Sequence, residues 1–226
     1  MRIVAVTDLH GCLGQLPRLP AAELALLGGD LSHFGTPQQV AEAVRAAKRH
    51  FPHVLAVLGN CDPPEGLAAL AAEGVLPAPA GTTPGRLPVR VFGIGGANTS
   101  PFHTPNEWDD AAMGRELAAQ AHPAPPAPDS GGTLLRILLT HPPPAGSAAE
   151  RLPNGLRAGS RAVAEFARQL RPDWIVCGHL HESRGRFDLD GIPVVNPGPL
   201  RNGFYAILDW EPGRPAECRL ERLDNG

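Results

Sequence analysis

Short apolar runs recur along the first three quarters of this chain, and each is closed by a polar residue or glycine. Runs near 2–7, 23–28, 53–58, 88–94, 134–140 and 173–177 are rich in Val, Ile and Leu, which is how strands buried on both faces read. Helical periodicity lies between them. Thr36-Pro37-Gln38-Gln39 has the form of a helix start, with Thr36 as cap, Pro37 in the first turn and Gln39 completing a capping box. Val40, Ala43, Val44, Ala47 and Phe51 then fall on one face. Further helices are predicted near 64–73, 109–121 and 160–170, with a polar, glycine-rich loop over 95–109. The stretch Pro123–Gly132 reads as a mobile surface excursion. After residue 182 the pattern changes. Segments near 183–189, 192–195, 203–209 and 216–223 read as successive antiparallel strands. One domain over 1–226, with a pair of mixed sheets and helices outside, accounts for this order.

Five of the apolar runs end in residues that bind metals. The first leads into Asp8-Leu9-His10, the second into Asp30 and the third into Asn60. The run before His141 and the run before His179-Leu180-His181 complete the set. Ligands of open α/β sheets bind outside the carboxyl ends of the strands, so these side chains converge. In an extended segment residues two apart share a direction, which makes Asp8/His10 and His179/His181 two pincers. Singly, each residue has an ordinary explanation. A strand-end Asp forms a turn, Gly-Asn is a turn, and a His is usually hydrogen-bonded. Together, two carboxylates, one carboxamide and four imidazoles exceed the needs of one ion and suit two ions sharing a carboxylate.

The order Asp-x-His, Gly-Asp, Gly-Asn-x-Asp, His, Gly-His-x-His resembles the calcineurin-like metallophosphoesterases, over residues 8 to 181. Asn196-Pro197-Gly198 resembles the small bacterial and archaeal phosphodiesterase branch. Gly93–Asn98 with Pro101-Phe102 resembles its Icc-related phosphoesterases. The resemblance implies a four-layer αββα sandwich. It also implies that Asp8, His10 and His181 hold one divalent ion, that Asn60, His141 and His179 hold a second, and that Asp30 bridges them. It favours Mn, while the donor set also admits Fe, Ni or Zn. The implied activity is hydrolysis of a phosphodiester by a metal-bridging hydroxide, with Asp30, Asn60 and His141 at the reacting phosphate. The alternatives are a phosphomonoesterase acting on nucleotides or phosphoproteins, and a metal-binding scaffold for protein partners, as in the retromer subunit of that superfamily.

Many members of that superfamily place His after the Asn, as a proton donor to the leaving oxygen. Here Cys61 stands there, read as a small inert side chain, since a thiol is a weak donor. His103, in the loop 95–109, is the candidate to replace the missing acid, with an exposed loop histidine as the alternative. Asp62 is read as a helix cap or a partner for a ligand histidine. His33, His50, His53 and His122 carry no motif, and Arg201-Asn202 reads as a turn between strands, with contact to a phosphate as the alternative.

Composition narrows the class. A formal net charge of -3 gives no basic footprint for nucleic acid, so a small phosphate-ester substrate is expected rather than a polynucleotide. Lys48 is the only lysine among twenty Lys and Arg, a bias that points to genome composition. Cys12, Cys61, Cys177 and Cys218 form no C-x-x-C pair, which argues against zinc ribbons and thioredoxin-like redox motifs. No apolar run approaches the roughly 18–20 residues of a membrane span. A cytoplasmic protein with reduced thiols and no membrane partner is the expectation. Self-association to a homo-oligomer stays open.

Overall fold

A computed structural model describes residues 1–77, 81–120 and 134–224. The first sheet contains β1 (Arg2–Val6), β2 (Leu24–Gly28), β3 (His53–Val57), β11 (Phe204–Asp209) and β12 (Glu217–Arg222), in the order β12-β11-β1-β2-β3. β1, β2 and β3 are parallel, while β11 runs antiparallel to both β1 and β12. The second sheet contains β4 (Val89–Ile94), β7 (Leu135–Thr140), β8 (Trp174–Val176), β9 (Gly185–Leu189) and β10 (Ile192–Asn196), in the order β4-β7-β8-β10-β9. All its neighbours are parallel except β9 with β10. Two two-residue strands, β5 (Ala97–Asn98) and β6 (Glu107–Trp108), pair within the loop that follows β4.

Three apolar clusters define the layers. Ile3, Leu24, Leu26, Leu55, Val91, Ile137, Val176 and Leu208 pack between the two sheets. Because both faces of each central strand are buried, the strands read as continuous apolar runs rather than alternations. The outer face of the first sheet packs on α1 (Pro37–Lys48) and α2 (Gly66–Ala72) through Val4, Leu27, Val40, Val44 and Leu70. The outer face of the second packs on α3 (Asp110–Gln120) and α4 (Arg161–Leu170) through Leu138, Ile175, Met113, Val163 and Phe166. The result is the expected αββα sandwich. Among the described residues no helix is long and apolar enough to cross a membrane.

Helix α1 starts as its sequence predicts. Thr36 accepts from the Gln39 N–H, and the Gln39 side chain accepts from the Thr36 N–H at 2.8 Å. Val40, Ala43, Val44, Ala47 and Phe51 are all buried.

The last third differs from a run of antiparallel strands. β9 and β10 form one hairpin and β11 and β12 another, in opposite sheets. The chain crosses between the sheets through Pro197-Gly198-Pro199 and a 3-10 turn at Leu200–Asn202. Strand periodicity alone cannot separate a hairpin from a sheet change. Residue 183 belongs to a 3-10 turn, His181–Ser183, rather than to a strand. A 3-10 helix at Leu13–Arg18, bearing Pro17 and one fully buried side chain, Leu16, carried no periodic signal. The segment Pro123–Gly132 and His122 lie outside the described residues.

Candidate metal centre

Each of the five strands β1, β2, β3, β7 and β8 stops within four residues of a metal-binding side chain, at the same end of the sandwich. The chain then leaves the extended conformation. Asp8, His10, Asp30 and His179 have φ of 54°, 46°, 49° and 69°. The two pincers therefore arise from left-handed kinks, not from the alternation of an extended segment. Such conformations cost about 1–3 kcal/mol each and persist where surroundings enforce them. Backbone bonds supply that enforcement. The Asp8 N–H donates to Gly29 O at 3.0 Å and the His10 N–H to Asp30 O at 2.8 Å, extending the β1–β2 pairing past its last strand residue. Gly29, with φ +94°, is required on space as well, since a Cβ there would meet His141 Nδ1 at 2.5 Å. A Cβ on Gly59 would run into Asp30.

Asp62 ties the loop after β2 to the loop after β3. Its carboxylate accepts from the N–H groups of Leu31, Ser32 and Gly59 at 3.0, 2.8 and 2.8 Å, and from the Ser32 hydroxyl at 2.8 Å. It neither caps α2, whose preceding residue is Glu65, nor bonds a histidine. All its partners are loop donors, and that explains why a carboxylate is buried at this point.

The other six side chains gather around Asp30. Its Oδ1 lies 3.5 Å from His141 Nε2 and accepts the Cys61 N–H at 2.8 Å; its Oδ2 lies 3.6 Å from His10 Nε2. On one side His181 Nε2 is 3.2 Å from Asp8 Oδ1 and 3.3 Å from His10 Nε2. On the other, Asn60 Oδ1 is 2.9 Å from His141 Nε2 and 2.8 Å from His179 Nδ1.

The donor set fits a cation by its hydrogen bonds. His141 Nδ1 is 2.8 Å from Gly28 O, which can only accept, so that nitrogen carries the proton and Nε2 presents a lone pair. Glu107 takes the Thr104 hydroxyl proton at 2.8 Å, so Thr104 Oγ1 must accept from Asn60 Nδ2 at 3.1 Å. Asn60 therefore turns its oxygen inward, lone pair against lone pair, at His141. Asp8 Oδ2 is buried with no hydrogen-bond partner among the described residues. Converging lone pairs and an orphaned carboxylate oxygen are what a divalent cation satisfies.

Charge states agree with ligation. Burial pushes His10 down to about 4 and His179, helped by His141, down to about 3, keeping both imidazoles neutral. Burial raises Asp30 to about 6 against the attraction of His141. Burial opposes ionisation of Asp8 too, but the His181 hydrogen bond and the neighbouring imidazoles hold it well below the usual carboxylate range. Burial and then the Asp30 charge push the Cys61 thiol far up, consistent with an inert side chain.

Other expectations fared differently. His103 is exposed, with φ 51°, and among the described residues no hydrogen bond or ring contact joins its imidazole to the seven. Its loop touches the site instead through Thr104 and through Asn106, whose amide donates to Gly59 O at 3.0 Å. His33 is drawn to the rim, its Nδ1 3.2 Å from His10 Nδ1. Arg201 lies in the expected turn between strands, and its Nη2 also reaches 3.1 Å from His181 Nδ1. His33 stands at no spacing that pattern could detect, although it closely follows a motif.

Comparison with known proteins agrees with this geometry. Protein MJ1162 of Methanocaldococcus jannaschii is 30% identical over 216 residues, covering 91% of each chain. The structure of TT1561 from Thermus thermophilus superposes with a TM-score of 0.68 at 20% identity, covering 99% of each chain. That of a phosphopantetheinyl hydrolase from Mycobacterium tuberculosis gives 0.51 at 14% identity, covering 88% of this chain and 90% of that one. At these identities the two structures speak for the fold. The model of the calcineurin-like phosphoesterases matches residues 1–183, the span that carries all five ligand-bearing strand ends, and the chain belongs to that family of metal-dependent phosphoester hydrolases.

Proposed function

We propose that the chain is a dinuclear phosphodiesterase acting on small phosphate esters in the cytoplasm, as one domain over 1–226. In this reading Asp8, His10 and His181 hold one divalent ion and Asn60, His141 and His179 the other, with Mn the preferred metal. Asp30 serves both. The observation that carries the reading is the position of Asp30, one oxygen toward His141 and the other toward His10.

When bound, two such ions activate water and neutralise charge on the phosphoryl group. The chain's part is to hold the donors still. Gly28 O fixes the tautomer of His141, the Glu107–Thr104 pair fixes the Asn60 amide, and Asp62 fixes the loop of Asp30. The Cys61 thiol supplies no ready proton to a leaving oxygen. Diesters with good leaving groups are the substrates that tolerate this.

The test is titration of metal-free protein with Mn, followed by hydrolysis of bis(4-nitrophenyl) phosphate and 4-nitrophenyl phosphate with and without chelator. Two ions per chain and preference for the diester are expected. Preference for the monoester would make the protein a phosphomonoesterase, and metal binding without turnover of either would favour a scaffold.

A further inference from the structure

A basic groove adjoins the metal centre. Arg201, which approaches His181, also lines a concavity of about 320 Å³ with Arg18, Asn202, Phe204, Arg222 and Asp224. The 3-10 helix that follows His10 delivers Arg18, the crossing between sheets delivers Arg201, and the end of β12 delivers Arg222. The groove wall thus holds three guanidinium groups against one carboxylate, in a chain whose formal net charge is -3. A fourth arginine stands beside it. The Arg184 and Arg222 guanidinium carbons lie over the same Phe204 ring, 4.6 and 5.2 Å from its centre. Arg184 Nε is buried with no hydrogen-bond partner among the described residues. Among the described residues none of these four arginines pairs with a carboxylate, whereas Arg2, Arg45, Arg157, Arg168, Arg214 and Arg219 do.

The ordinary explanation is a set of solvated surface arginines in an arginine-rich chain. Convergence argues against it. Two cations stack on one aromatic ring, a third lies against an imidazole, and the groove wall carries one acid, Asp224, while Gln15 and main-chain oxygens of Asp224 and Glu221 accept from Arg18 and Arg184. Guanidinium forks match the oxygens of phosphate and carboxylate in pairs. Their ring contact with Phe204 holds two of them in place without neutralising them.

We propose that this groove receives a second anionic group of the substrate, a phosphate or carboxylate separate from the ester that is cleaved. The substrate class is then a phosphoester with an additional negative group on the side of His181. This rests on the phosphoesterase reading for its second half only, because anion binding by the groove is testable without turnover.

The probe is inorganic tripolyphosphate, titrated calorimetrically into the metal-free full chain. Wild type should bind it, and Arg18→Ala and Arg222→Ala should each weaken binding roughly tenfold or more, the usual effect of losing a hydrogen bond between charged partners. Arg222→Lys should recover part of the loss, and Asp224→Asn should tighten binding. Both arginines are exposed, so unchanged melting temperatures are expected and serve as the control for folding. Steady-state kinetics then compare 4-nitrophenyl esters of a nucleoside monophosphate with and without a further phosphate on the sugar. Arg222→Ala should raise KM for the two-phosphate ester about tenfold more than for the other. Absence of tripolyphosphate binding, or equal binding by all variants, would overturn the groove. Loss of binding without selective change in KM would overturn its link to the substrate. Binding intact with neither ester hydrolysed would bring down the phosphodiesterase reading and the substrate assignment together, leaving an anion-binding groove.

Discussion

Asp62 holds Ser32 twice, its Oδ1 accepting both the backbone N–H and the hydroxyl at 2.8 Å. The same carboxylate takes Leu31 and Gly59, so one buried side chain sets the spacing between the Asp30 loop and the Asn60 loop. An amide cannot replace it fully, because its NH2 end would face donors.

Asp62→Asn is therefore expected to destabilise the fold by about 2–4 kcal/mol, the effect of unsatisfying buried donors that had a charged acceptor. Ser32→Ala removes one bond and should cost about 1 kcal/mol. Urea denaturation of the metal-free proteins measures both. Equal small losses in the two variants would show that Asp62 does not organise the loops.

Asp30→Asn should separate stability from function. Burial raises Asp30 to about 6, above the ordinary carboxylate value, so near neutral pH its charge opposes folding of the metal-free protein. The folded state binds the extra proton between about 4 and 6, and stability from this group falls as pH rises through that window. The neutral amide removes that penalty, and metal-free Asp30→Asn should be as stable as wild type at pH 7 or more so. Activity should nevertheless fall more than about a hundredfold, beyond the usual loss from disturbing a mere supporting partner of a ligand. Denaturation of metal-free protein, metal analysis and diester hydrolysis check the three parts. Normal turnover with two bound ions would remove Asp30 from the bridging role.

The two ligand sets should come apart by mutation. His10→Ala and His181→Ala remove ligand atoms that lie within 4.8 Å of Asp8, whereas His141→Ala and His179→Ala remove those that approach Asn60. Mn titration should show one site lost preferentially in each pair, and the lost site should differ between the pairs. If all four variants keep two sites of wild-type affinity, the division is wrong.

What the sequence could reveal followed from what strands do to sequence. Central strands buried on both faces leave continuous apolar runs, and the ligands sit just past their ends, so Asp8, Asp30, Asn60, His141 and His179 were all legible. The backbone that aims them was not, because left-handed kinks at Asp8, His10 and His179 leave no period. The Thr104–Glu107 support of Asn60 was hidden for another reason. It comes from a loop more than forty residues away, and only the fold closes that distance. Arg201 was legible only as a turn residue able to reach a phosphate; its approach to His181 was not, because a turn between strands and a turn that carries the chain from one sheet to the other look alike in sequence.

Cys61→His should raise activity most on substrates with poor leaving groups. The Cys61 thiol lies among the donor atoms of His10 and Asp30, all within 4.8 Å of one another, so an imidazole built there enters the site. An aryl oxide of low pKa departs without a proton and gains little from a general acid. An alkoxide or ribose oxygen needs that proton, and a positioned acid contributes about a hundred- to ten-thousand-fold. The variant should therefore flatten the dependence of rate on leaving-group pKa. The gain should fall short of that full range, because the hydrogen bonds at this position are arranged around a thiol and not around a ring. His103 enters the same experiment as a rival, an exposed imidazole on the loop that also carries Thr104 to Asn60. Rates for a series of diesters, measured for wild type, Cys61→His and His103→Ala, distinguish the cases. A steeper slope in His103→Ala, with no flattening in Cys61→His, would make His103 the working acid and Cys61 a bystander. Unchanged slopes in both would mean that neither position delivers a proton to the departing oxygen.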